Sequence, residues 1–318
     1  MSFSSYCLYG LCIRSELPLT APSAPESFAP DLTVRCGGGL PATATAPAGE
    51  VWAKADFGNG FGVQLTKIES GWSLFYPQTG EVRLANDLRT ATAHALPGKD
   101  AILPLLLIGS VPAWWLNLRG ESILHASAVA VGDEALAFIG ASGMGKSTLA
   151  TLLCSAGATL ITDDVLRLQS EKESFRCHWG TGELRLRANA ASLSELFPPA
   201  CVSRSADGRS TLLLPAGKSS LPRLRAILIP RPSREHRELV AHPQSLVQAS
   251  FHLNGFARVL GWHVDEPRRQ QFTAFARVAQ AVPVVEVTVP WGPPFPPDLP
   301  DRLVAVAGMT LGETAALR

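Results

Sequence analysis

The sequence predicts an α/β protein whose core is preceded by a β-rich N-terminal region. Three observations carry this. "ALAFI", a glycine-rich turn, the helical "KSTLATLLCSAG" and the strand-like "ATLITDD" follow one another directly, which is a strand–loop–helix–strand pattern. Upstream, "FGVQLTKIE", "WSLFYPQ" and "EVRLAND" are short apolar runs separated by Ser70-Gly71 and "QTG", the mark of antiparallel hairpins. Downstream, strand-like "RLRAILIP" and "VVEVTVP" alternate with helix-like "PQSLVQASFHLNGFARVL" and "RRQQFTAFARVAQ". The expected division is a β-rich region over 1–110 and a core over 111–318.

Each element follows from local pattern. "CLYGLCIRS" reads as a strand. "LTAPSAPESFAPDL" and "CGGGLPATATAPAGE" are rich in breakers and read as loops. "LPGKDAILPLLLIG" reads as a helix. "ILHASAVAVGDEALAFIG" gives two strands around Gly132-Asp133, and Gly157 caps the helix that follows the glycine turn. "LPDRLVAVAGM" suits a last helix, and the prolines of "VPWGPPFPPDLP" exclude regular structure. Trp114 and Trp115 are expected in the core.

Bulk properties narrow the function. The 318 residues carry a formal net charge of +1, which argues against nucleic acid held by general electrostatics. Mean hydropathy is +0.14, yet the longest apolar run, "AILPLLLIG", falls well short of the roughly 20 residues of a spanning helix. The N-terminus has no basic stretch before its apolar part, so no secretory signal is expected. A cytoplasmic protein without a membrane partner is the expectation. The six cysteines, Cys7, Cys12, Cys36, Cys154, Cys177 and Cys201, have no C-x-x-C spacing and read as buried small apolar residues.

The chemistry concentrates at "GASGMGKSTLA". Gly140, Gly145, Lys146 and Ser147 match G-x-x-x-x-G-K-[ST]. The segment Gly140, Ala141, Ser142, Gly143, Met144, Gly145, Lys146, Ser147 and Thr148 is therefore expected to bind the phosphates of a nucleotide. Glycines let backbone N–H groups face an anion, and the following helix aims its positive end at the same point. Lys146 is expected on the β and γ phosphates, and Ser147 on Mg2+. Phosphate loops need an acid nearby, and "LITDD" ends a strand in Asp163 and Asp164. On an extended chain these side chains point to opposite sides, so different tasks are expected of them. His125 lies fifteen positions before Gly140, where a tight turn between strands would bring it to the loop's rim. Arg231, Arg234 and Arg237 recur every third residue in "IPRPSREHREL". On a helix they would share a flank suited to an acidic peptide, although Glu235 and Glu238 are interleaved.

His125, the loop 140–148 and the double aspartate, in this order, resemble the catalytic core of the bacterial HPr kinase/phosphorylase family. The likeness covers about residues 120–170 and extends through "WGTGELRLRANAASLSELF". The whole chain is similar to stand-alone HPr-kinase-like serine kinases of lasso-peptide tailoring, whose N-terminal pattern Y-x-x-x-G-L-x-I-x-S-E-x-P-L reads here "YCLYGLCIRSELPL", Tyr6 to Leu19. The resemblance implies a phosphate-loop core of the HPr kinase C-terminal domain type and a cofactor pair of ATP and Mg2+. It implies transfer of the γ-phosphoryl group to a serine hydroxyl of a precursor peptide, and a homo-oligomer. It also implies Asp163 as general base, Asp164 assisting it or the metal, His125 supporting Asp163, and Glu183 as a further metal carboxylate. Arg185 and Arg187 are alternates for phosphate contact. Two other readings use the same residues: a kinase for a sugar or other alcohol, and a non-catalytic nucleotide-binding regulator.

Overall fold

The computed structural model describes residues 2–58, 60–206, 208–215, 217 and 220–311. They form a mixed α/β protein with several sheets. The chain divides into two compact units, Met1–Ser122 with Val259–Gln271, and Ile123–Arg258 with Phe272–Arg318.

In the first unit, β1 (Ser4–Leu8), β2 (Leu11–Ser15), β3 (Leu32–Cys36), β4 (Glu50–Gly58), β5 (Phe61–Ile68), β6 (Gly71–Tyr76), β7 (Gly80–Ala85) and β8 (Thr90–Ala95) make one sheet in the order β1-β2-β3-β8-β7-β6-β5-β4. Its neighbours are antiparallel except β2–β3 and β3–β8. The three hairpin segments expected upstream are β5, β6 and β7, paired antiparallel in turn. "CLYGLCIRS" is two strands where one was expected. Tyr9 and Gly10 have φ of +57° and +69°, and positive φ at both central residues makes the tight turn whose twist suits a hairpin.

The N-terminal pattern is accounted for by this hairpin and its surroundings. The Leu19 N–H donates to the Tyr6 hydroxyl at 3.2 Å, the Leu17 N–H to Ser15 Oγ at 3.0 Å, and the Cys36 N–H to Glu16 Oε2 at 2.8 Å. Leu11, Ile13 and Leu19 are buried. Tyr6 to Leu19 thus closes one edge of a sheet.

The helix expected over "LPGKDAILPLLLIG" is shorter and is followed by another: α1 (Leu103–Ile108) and α2 (Ser110–Leu118) meet at Gly109 with a bend of 47°. No single helix among the described residues is long and apolar enough to cross a membrane. The first unit extends past the expected boundary at 110 because α2 is bound into it. Trp115 is fully buried and its indole donates to Leu88 O at 2.7 Å. Trp114 packs edge-on against Trp262 at 5.4 Å, and Tyr9 donates to Ile108 O at 2.7 Å.

The second unit contains β9 (Ala126–Val131), β10 (Glu134–Ile139), α3 (Lys146–Ser155), β11 (Thr159–Asp163), β12 (Leu168–Glu171), β13 (Ser174–Cys177), β14 (Glu183–Leu186), β15 (Val202–Arg204), β16 (Ser210–Leu213), β17 (Arg223–Ser233), β18 (Val240–Pro243), α4 (Leu246–Gly255), the later part of α5 (Asp265–Ala281), β19 (Val284–Pro290) and α6 (Leu299–Ala305). The large sheet runs β11-β9-β10-β17-β13-β12, with β19 beside β17 and β18 beside β19; β14-β16-β15 form a small separate sheet. β10 and β11, joined through α3, are not neighbours. β9 lies between them, antiparallel to both, while β10 pairs parallel with β17.

Alternation along these strands divides the core in two. Leu136, Phe138 and Leu228 pack with Leu149 and Leu153 of α3 and Leu299 and Leu303 of α6. Ala137, Ile139, Ile227 and Ile229 pack with Ala249 and Leu253 of α4 and Phe275 and Val278 of α5. The sheet is therefore covered by helices on both faces, as strand runs this apolar require.

Two expectations are corrected. Residues 229–239 are not helical: β17 continues to Ser233 because it pairs residue by residue with β19. Arg231 therefore ion-pairs with Glu286 at 2.9 Å, Arg234 stacks over Trp291 at 4.3 Å, and Arg237 shares no helical flank with them. Of the cysteines, Cys12, Cys154 and Cys177 are buried as expected, but Cys7 and Cys36 are exposed and Cys201 is intermediate.

Replacing Trp115 with Ala should cost about 3–5 kcal/mol, since it opens a cavity and orphans the Leu88 carbonyl. Urea unfolding should show the lower midpoint.

Candidate active site

β10 delivers the chain to Gly140 and α3 starts at Lys146. Between them Gly143 and Gly145 sit at φ of +90° and +91°, where a side chain would be strained. No side chain caps the first turn of α3, so its N-terminal N–H groups suit an anion. Lys146 is buried, and its ammonium donates to Gly140 O at 2.8 Å and Ala141 O at 3.4 Å. Burial lowers its pKa, with Asp163 and Asp164 opposing the shift.

The pairing of β11 with β9 sets Asp163 opposite Ser127. Asp163 Oδ1 accepts hydrogen bonds from Ser127 Oγ at 2.5 Å and from Ser147 Oγ at 2.8 Å, and Oδ2 accepts from the Arg185 N–H at 3.2 Å. Burial raises the Asp163 pKa, and these three bonds partly offset the rise.

The two carboxylates do not point apart. Asp164 has φ of +115°, a conformation costing a non-glycine residue about 1–3 kcal/mol. It is held by its N–H donating to Ala126 O at 3.0 Å. The strand ends at Asp163 and turns there, so both carboxylates line the same cavity of about 120 Å3.

Asp164 has different partners. Arg258 donates to Oδ2 at 2.8 Å, and His125 Nε2 lies 3.4 Å from Oδ1. Leu124 brings these together, since it bridges both Leu166 and Ala257. The His125 N–H adds a bond to Phe256 O at 2.9 Å. Burial alone would raise the Asp164 carboxyl, but Arg258, His125 and Arg185 override it and hold the pKa at about 2. Burial pushes His125 down to about 4, opposed by Asp164 and aided by Lys146 and Arg258. The imidazole is therefore neutral at neutral pH.

His125, Ser142, Gly143, Gly145, Lys146, Ser147, Thr148, Asp163 and Asp164 all line the cavity, joined by Arg185, Arg187, Asn189 and Arg209. Arg187 also donates to Ser142 Oγ in the loop. Glu183 does not join them. It is buried, its carboxylate 3.7 Å from Arg185 Nε, and it is outside the cavity lining. The metal role that the resemblance implied for Glu183 has no counterpart in the cavity lining. Ser127 and Arg209 escaped sequence reasoning because no local pattern marks them. Asp163 pairs with the loop serine and Asp164 with His125, whereas the resemblance implied His125 beside Asp163.

Among the described residues no group of three or more His, Cys, Asp or Glu side chains could hold a metal. Mg2+ needs less, since it keeps several waters and uses one or two carboxylates with substrate phosphates. Ser147 Oγ and Asp163, two adjacent hard oxygen donors, fit that mode.

A histidine with a lowered folded-state pKa takes up its proton more readily when unfolded, so acidification through this window destabilises the fold. His125→Asn should flatten the decline in stability between about pH 6.5 and 4, read by chemical denaturation at several pH values.

No protein-family model matches the chain, and no curated protein matches it. A solved structure of the Hpr(Ser) kinase/phosphatase from Coxiella burnetii is similar over 58% of this chain and 91% of its own, with 12% sequence identity and a TM-score of 0.29. A likeness of that size assigns neither a family nor an activity.

Proposed function

We propose that this protein is an ATP-dependent kinase that transfers the γ-phosphoryl group to a hydroxyl. The observation that carries the reading is the convergence on one cavity of a glycine phosphate loop, Lys146, three arginines and two carboxylates with separate partners. The acceptor we propose is a serine of a precursor peptide, the class implied by the resemblance at the head of the chain.

Lys146, Arg185, Arg187 and Arg209 would bind and orient the phosphates. Ser147 and Asp163 would hold Mg2+, which supplies charge neutralisation on the phosphate oxygens when bound. Three of the roughly four acceptor sites of Asp163 are engaged. Asp164, fixed by Arg258 and His125, retains room for a donor and is our proposed base. It takes the proton of the acceptor hydroxyl as the new P–O bond forms and the bond to the β–γ bridging oxygen breaks, with the electron pair leaving on ADP. A carboxylate of low pKa serves, because phosphoryl transfer depends chiefly on positioning and charge stabilisation. Neutral His125 steadies Asp164 and is not required to carry charge.

Lys146→Ala should lose transfer and most nucleotide affinity. Asp164→Asn should lose about 10²–10⁴-fold in rate with nucleotide affinity kept, whereas Asp163→Asn should raise the Mg2+ concentration needed. Mass spectrometry of a candidate precursor for one added phosphoryl group, with calorimetry of ATP binding, reads both effects. Full transfer by the Asp164 variant would remove it as the base, and failure of the wild type to bind any nucleotide would end the kinase reading.

A further inference from the structure

On the other side of the phosphate loop lies a second depression that phosphate chemistry does not explain. Gly143, Gly145, Thr148 and Asn189 line both cavities, so the loop is the wall between them. The second is apolar: Pro230 and Pro232 of β17, Val289 of β19, and the aromatic rings of Trp291 and Phe295 complete it. Trp291 is about half exposed although it follows a buried strand. Its backbone is anchored, since its N–H donates to Ser233 O at 2.8 Å. Its ring is backed by the Arg234 guanidinium at 4.3 Å, and Phe295 packs against the core beneath. A large ring is thus exposed yet held in place beside an anion site.

A nucleotide has the matching anatomy. Lys146 and Ser147 take the β and γ end of a polyphosphate, while the loop backbone cradles the α and β phosphates. A phosphate chain leaving the loop past Thr148, which lines both cavities, would be led toward this depression. We infer that it is the nucleobase site, in which a purine stacks on Trp291 between the prolines of β17 and Phe295. The inference rests on the kinase reading and adds the place and mode of base recognition. Thr148, Asn189 and the indole N–H supply the polar side-chain groups of the lining. Stacking and dispersion dominate such a surface, and every base has a π-face. Adenine and guanine nucleotides therefore bind similarly, and the triphosphate and not the base decides which ligands enter.

Calorimetric titration of the full chain with Mg2+ and ATP, GTP or inorganic tripolyphosphate tests this. Trp291→Ala should weaken ATP and GTP alike by about 10-fold, the order expected for one lost stacking contact, and leave tripolyphosphate unchanged. Trp291→Phe should restore most of the loss, because the phenyl ring keeps a π-face, and the unchanged tripolyphosphate affinity is what a merely structural role for the indole would not predict. Equal weakening of tripolyphosphate, or unchanged ATP and GTP affinity in the Ala variant, overturns the base site while the kinase reading stands. A wild-type protein that binds none of the three ligands overturns both.

Discussion

The turn at Asp164 is the constraint on which the site depends. A strand ending in two aspartates would ordinarily send one carboxylate to each face. A positive φ at the second residue directs both into a single cavity, at the end of β11 and beside the start of α3. The strained conformation persists because flanking pairings over-determine it: Asp163 against Ser127, the Asp164 N–H on Ala126, and Leu166 bridged to Leu124. Strain of this kind, held by the surrounding fold, is commonest where chemistry needs it.

Two negative charges in one partly buried pocket would repel, and the structure divides the burden. Asp163 is embedded among hydroxyl and amide donors and its pKa rises. Asp164 is paired with Arg258 and falls to about 2. The environments thus push the pKa values of the two carboxyls in opposite directions. The cationic rim of Lys146, Arg185, Arg187 and Arg209 more than balances the charge of the pair. β9 matters here despite contributing no charge: lying between β10 and β11, it carries Ser127 to Asp163 and follows directly after His125.

Much of this was legible residue by residue. The phosphate loop, both aspartates and His125 stand within 40 positions of one another and carry local patterns, and all line one cavity. The hairpins of the first unit follow from short apolar runs separated by turn residues at Ser70-Gly71 and "QTG". The N-terminal signature was legible as a pattern but not as a purpose, because Tyr6, Ser15 and Glu16 each satisfy backbone donors within the first unit. Glu183 stands near the others in sequence, yet it is buried beside Arg185 and outside the cavity lining, which chain position does not reveal.

Sequence alone determined the elements whose cause is local. Glycine at the positive-φ turns, apolar alternation in strands, and a lysine and serine at the start of a helix act over a few residues, so neighbours suffice to predict them. The tertiary structure decided which distant groups meet. Arg258 reaches Asp164 across 94 positions, and Trp291 reaches the phosphate loop only because β17 and β19 pair in parallel. The extended course of 229–233, the inclusion of α2 in the first unit and the direction of Asp164 were decided the same way. Strand pairing and burial are cooperative over the whole chain, and their free energies outweigh the local preferences from which a sequence is read.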